Sequence, residues 1–103
     1  MWSKKASELD WVPAREGVSR AVYRDHPAGG RTYLVRLAAG TTSGAHRHGA
    51  EEEVLVLEGR VDIGGHVLVK GDFIYTEGGE VHDVQALEDA LILVSTSKPI
   101  EFI

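Results

Sequence analysis

Apolar residues in this chain come in short runs, set apart by glycines and small polar clusters roughly every eight to twelve residues, which points to many short strands and not to helices. The pattern predicts strands at Val18–Tyr23, Arg31–Leu37, Glu52–Glu58, Arg60–Ile63, His66–Val69, Asp72–Thr76, Val81–Ala86 and Ala90–Ser95, with a short tail around Ile100–Ile103. Several are rich in Val, Ile, Leu and Tyr, and none has an internal proline, which would delete a ladder donor. Gly64-Gly65, between Val61-Asp62-Ile63 and His66-Val67-Leu68-Val69, marks the clearest hairpin, because a two-residue primed turn needs positive φ that glycine supplies freely. Gly29-Gly30 and Gly78-Gly79 mark further tight turns. Only Ser3–Asp10 has the makings of a helical turn, with Ser3 as its cap. The expected fold class is all-β, a small barrel or sandwich.

Glu52–Glu58 is apolar on both parities, with Val54 and Val56 on one face and Leu55 and Leu57 on the other. A strand with one solvated face should be polar there, so the leucine face is expected to be covered by another sheet or by a second copy of the chain. A homodimer is the expectation.

Length and charge narrow the picture. The 103 residues suffice for one packed core and not for two, so residues 1–103 are expected to form a single domain. With 43% apolar and 26% charged residues, the composition is that of an ordinary globular protein. Val54–Leu57 and Ala90–Val94, the longest apolar runs, are far too short to span a bilayer, so no membrane segment is expected. Glu8, Asp10 and Arg15 fall where a secretory signal would need apolar residues, and a cytoplasmic location is expected. The absence of cysteine excludes disulfides, iron–sulfur clusters and thiolate zinc sites. A formal charge of −5 without a basic run argues against nucleic acid as a partner.

The candidate chemistry is a set of four side chains: His46, His48, Glu52 and His82. Residues two apart on a strand share a face, so His46 and His48 point the same way, and Glu52 keeps their parity. Gly49-Ala50 lets the chain bend between them, and closure of a β-barrel would bring His82 in from a distant strand. Imidazole and carboxylate donors suit a divalent first-row ion such as Fe, Zn, Mn or Ni. The bland alternatives are a surface His-x-His and a solvated acidic turn at Glu51-Glu52-Glu53, of which Glu52 is preferred for its parity. His26, beside Pro27, and His66, at the hairpin, read as plain surface histidines.

Gly40-x5-His46-x-His48-x3-Glu52-x6-Gly59 resembles the first motif of the cupin superfamily at every fixed position, and Gly71-x5-Glu77-x-Gly79-x2-His82 resembles the second. Glu77 stands where proline is usual and Ala86 where asparagine often occurs, departures that leave the four ligand positions filled. The motifs lie at about residues 40–59 and 71–86, and the likeness spans about residues 17–96. The segments Gly30–Gly40 and Glu52–Gly59 are similar to the cupin domain of ChrR-type anti-sigma factors and to acetylacetone-cleaving dioxygenases. This resemblance implies an RmlC-like β-barrel or jelly roll with His46, His48, Glu52 and His82 holding one metal ion. The Cys/His-containing helical domain by which such anti-sigma factors grip a sigma factor is lacking, so anti-sigma activity is not expected.

Three functions follow from such a site. The first is a metal-dependent enzyme, above all a dioxygenase acting on a small enolisable or phenolic molecule, because four ligands on an octahedral ion leave two positions open. The second is an isomerase or lyase acting on a small sugar acid or carbonyl compound. The third is a non-catalytic Zn-binding or ligand-sensing module, since a tetrahedral ion is saturated by four ligands. Tyr33, Tyr75 and Glu77 are candidates for a general base, and no spacing singles one out. In each case the partner is a small molecule.

Overall fold

The computed structural model describes residues 1–102, and for His48, Ile100, Glu101 and Phe102 the backbone only. The strands are β1 (Val12–Arg15), β2 (Val18–Asp25), β3 (Arg31–Leu37), β4 (His46–His48), β5 (Glu52–Glu58), β6 (Arg60–Ile63), β7 (His66–Val69), β8 (Phe73–Thr76), β9 (Val81–His82), β10 (Val84–Ala86), β11 (Ala90–Thr96) and β12 (Ile100–Phe102). They form a six-stranded sheet in the order β1-β2-β3-β11-β5-β8 and two three-stranded sheets, β10-β6-β7 and β12-β4-β9. Every described pairing is antiparallel. The result is the expected all-β jelly roll.

Alternation builds the core. β11 and β5 bury every second residue: Ile92 and Val94 on one, Glu52, Val54 and Val56 on the other. The large sheet packs these, with Leu37 and Val35, against Val61 and Ile63 of β6 and Val84 and Ala86 of β10. Each such fully buried aliphatic side chain stabilises the fold by about 1.5–3 kcal/mol. Gly64 and Gly65 both have positive φ and join β6 to β7 in the expected hairpin, where the Gly65 N–H donates to the Asp62 Oδ1 at 2.9 Å. Gly59 is required for space as well as conformation: its φ is +81°, and a Cβ there would lie 2.1 Å from the Asp89 carbonyl oxygen.

Three expectations need correction, and β1 adds a strand that the pattern does not predict. Ser3 does not cap a helix; residues Ala6–Glu8 form a single 3-10 turn whose N-cap, Lys5, makes no side-chain bond, and no residue of that turn is buried. β1 contains Pro13, which is tolerated because β1 is the edge of its sheet. Val81–Ala86 is not one strand but breaks at Asp83, where the chain passes from the sheet of β4 to the sheet of β6. β8 begins at Phe73, since Asp72 turns the chain instead: its carboxylate accepts the Val69 N–H and its carbonyl the Val56 N–H. Of the expected tail, Ile103 lies outside the described residues.

The outer face of the large sheet carries two kinds of surface. At β2–β3 the N-terminal segment lies against it: the Lys4 ammonium donates to the Val22 carbonyl at 3.5 Å, and the Arg36 guanidinium stacks over Trp11 at 4.8 Å. Farther across, the register sets Leu34, Leu93, Leu55 and Phe73 side by side on four neighbouring strands. Leu55 and Leu57 are half-buried, while Phe73 remains 55% exposed and Tyr75 53%.

Candidate metal centre

His46 opens a short strand that bends away at Gly49-Ala50. β4 is only three residues long, and its neighbour β9 sets His46 directly opposite His82. Such facing residues bring their side chains together from positions far apart in sequence. The two imidazoles meet edge to face, centroids 4.7 Å apart at 82°. Glu52 opens β5 in the other layer, on the buried parity that also carries Val54 and Val56. The three side chains are almost fully enclosed, at 4% for His46, 3% for Glu52 and 6% for His82.

Their polar atoms converge. Glu52 Oε1 lies 3.3 Å from His82 Nε2, Glu52 Oε2 lies 3.9 Å from His46 Nε2, and one donor atom from each residue falls within 4.8 Å of the others. Donors about 2.0–2.2 Å from a shared ion stand at comparable separations from one another. His46 Nδ1 lies 3.0 Å from the Gly44 carbonyl; donating its proton there leaves the Nε2 lone pair to face Glu52. A buried carboxylate between two imidazoles, one of them fixed in tautomer by the backbone, is a donor set that fits a divalent first-row ion. Of the four residues expected as ligands, the structure brings together His46, Glu52 and His82; the His48 side chain lies outside the described ones. Of Glu51, Glu52 and Glu53 only Glu52 is buried, on the parity that faces the interior.

His46 and Glu52 line one end of a cavity of about 740 Å³ between the layers. Its floor is the inner face of the large sheet, including Tyr33, Val54 and Val94, which the register places in one row. Tyr33 thus has a place in the cavity, and burial, reinforced by the charge of Glu52, pushes its hydroxyl above the ordinary tyrosine value of 10.0. Tyr75 faces outward on β8, and Glu77 belongs to an exposed turn where its N–H donates to the Glu80 carboxylate at 3.0 Å, so neither reaches the cavity. His66 is exposed as expected, whereas His26 is half-buried and shares a 2.9 Å hydrogen bond with Thr32 Oγ1. The cavity also takes in Arg15, Arg20 and Arg31, which the sequence reading passed over. The signal was there: Arg31 shares the parity of Tyr33, Val35 and Leu37, and Arg20 that of Val18.

A jelly roll with a buried His/Glu/His cluster at one end of its cavity is the architecture of a cupin, and the fold is shared with RmlC-like cupins. The chain belongs to the ChrR cupin-like domain family, whose model matches residues 3–101. An acetylacetone dioxygenase from Acinetobacter johnsonii superposes with a TM-score of 0.88 at 16% identity, over 100% of this chain and 77% of that one. The Rhodobacter sphaeroides complex of SigE with the anti-sigma ChrR gives 0.78 at 21% identity, over 90% of this chain and 52% of that one. Among curated proteins, the DNA damage-repair/toleration protein DRT102 of Arabidopsis thaliana is 28% identical over 97 residues, 88% of this chain. The chain spans 30% of the length of that plant protein. Among the described residues no helix is long and apolar enough to cross a membrane.

Proposed function

We propose that this protein is a metal-dependent cupin enzyme, a dioxygenase acting on a small organic molecule, with His46, His48, Glu52 and His82 as the metal ligands. The observation that carries the reading is the convergence of His46, Glu52 and His82, all enclosed, at one end of a cavity large enough for a small molecule. His48 joins the set on the sequence motif. A bound Fe(II) would supply Lewis acidity and one-electron chemistry with oxygen. The chain's own residues do the rest. Gly44 holds the His46 ring in orientation, Glu52 contributes a negative charge where water is excluded, and the valines of the floor keep the substrate's apolar part dry. Tyr33, a hydroxyl whose burial keeps it protonated to still higher pH than an ordinary tyrosine, would donate a hydrogen bond to a substrate oxygen. The similarity to an acetylacetone dioxygenase supports the choice of reaction class.

We further propose that a second copy of the chain covers the leucine face through the Leu93–Leu55–Phe73 row, which continues outward from the already buried Leu34. A continuous apolar row of this kind is unusual on a soluble monomer.

The test is metal analysis of purified protein, followed by oxygen uptake in the Fe(II)-loaded form with small enolisable and phenolic compounds. His48→Ala and Glu52→Gln are each expected to lose tight metal binding, with the far-ultraviolet circular dichroism of the jelly roll intact. Stoichiometric metal without oxygen consumption on any such compound would leave the site and refute the dioxygenase.

A further inference from the structure

The chain is acidic on balance, with a net charge of −5, yet its cavity is lined by three arginines and, among the described residues, by no carboxylate apart from Glu52. Their positions follow from the strand register. Arg31, Thr96 and Glu52 occupy one row across the inner face of β3, β11 and β5, so Arg31 lies two strand spacings, about 10 Å, from the metal-site carboxylate. Tyr33 is two residues beyond Arg31 on the same face of β3. Arg20, on β2 opposite Val35, flanks Tyr33 from the other diagonal. Arg15 lines the same side from β1. The cavity is thus polarised: an imidazole and a carboxylate on the β4–β5 side, guanidinium groups on the β1–β2–β3 side, and valines between.

Among the described residues, the charges on the second side are only partly offset. Arg31 shares its charge with the exposed carboxylate of Asp25 at 3.1 Å, whereas Arg15 and Arg20 form no ion pair with any described residue. Both Arg20 and Arg31 act electrostatically on the Tyr33 hydroxyl, which places their charge within range of the cavity interior. A guanidinium is a planar fork matched to a carboxylate; Arg31 is half-buried, while Arg15 and Arg20 are exposed and free to close on a bound anion.

We infer that the substrate of this site is a small organic carboxylate, its carboxylate held by Arg20 and Arg31 on the side away from the metal centre and its body lying over Tyr33, Val54 and Val94. The inference deepens the enzyme reading by naming the substrate class, and rests on it for which end of the molecule reacts. A carboxylate is favoured over a phosphate ester because Asp25 already offsets one guanidinium and Glu52 adds a negative charge on the far side, which a dianion would meet with repulsion.

The experiment uses the purified protein with whatever metal it carries, and titrates it with 3-phenylpropionate and with its neutral amide, followed calorimetrically. The carboxylate is expected to bind at least about tenfold more tightly, as a charge-assisted hydrogen-bonded pair should. Arg20→Gln and Arg31→Gln should each reduce that preference severalfold. Arg36→Gln, which removes a guanidinium stacked on Trp11 on the opposite face, should leave it unchanged. A carboxylate that binds no better than the amide, including the case where neither binds at millimolar concentration, overturns the inference, as does an unchanged preference in both cavity variants. Metal content measured on the same samples separates the two readings: bound metal without carboxylate preference defeats only the substrate class, and carboxylate preference without bound metal defeats only the metal site.

Discussion

Phe73→Asp isolates the proposed contact between two copies of the chain from the stability of each copy. Phe73 sits on the edge strand β8 with 55% of its surface exposed, so its replacement should change the stability of one folded chain by only about 0.5 kcal/mol. A phenylalanine side chain presents about 200 Å², so about 110 Å² per copy remains to be covered, or about 220 Å² in a two-fold pair. At about 25 cal/mol per Å² that is about 5.5 kcal/mol, or about four powers of ten in the dissociation constant. Ordering costs on association reduce the yield, and half of it still leaves about two powers of ten. Sedimentation velocity at increasing concentration should show wild-type protein as a dimer in the micromolar range and Phe73→Asp as a monomer, with matching circular dichroism. A wild-type protein that sediments as a monomer throughout that range, or a Phe73→Asp protein that remains dimeric, refutes the argument.

Two further outcomes are expected. Gly59→Ala should destabilise the fold by about 2–3 kcal/mol, because positive φ and a Cβ placed 2.1 Å from the Asp89 carbonyl compound one another; an unchanged denaturation midpoint would contradict this. The tyrosinate absorbance that Tyr33→Phe removes should appear above pH 10.0, since burial raises the folded value. The stability tied to this group is therefore complete below the unfolded value and is lost as pH rises toward the folded one, so wild type and Tyr33→Phe should diverge in alkaline denaturation.

Much of the fold was legible because alternation is a direct consequence of a half-buried sheet. Val54 and Val56 had to face opposite Leu55 and Leu57, and both glycines of the β6–β7 turn announced it. What was not legible depended on partners. Pro13 reads as a strand breaker until β1 is known to be an edge, and the break at Asp83 exists because β4 claims His82 while β6 claims Val84. Three-residue β4 has no pattern of its own. For the site, histidine spacing located the cluster, whereas the cavity arginines were hidden because an arginine in a strand ordinarily signals a solvated position. Only its parity relative to neighbouring apolar residues betrays an inward one.

The three converging residues are divided between layers, with His46 and His82 on the small β12-β4-β9 sheet and Glu52 on the large one. The small sheet is made from short segments far apart along the chain. An ion shared among these residues would be a clasp at the open end of the sandwich, and amide exchange in β4 and β9 should report its presence while β3, β5 and β11 remain indifferent. Loading the site and closing the molecule would then be a single thermodynamic event, so that a chain deprived of metal keeps its core and loses its lip.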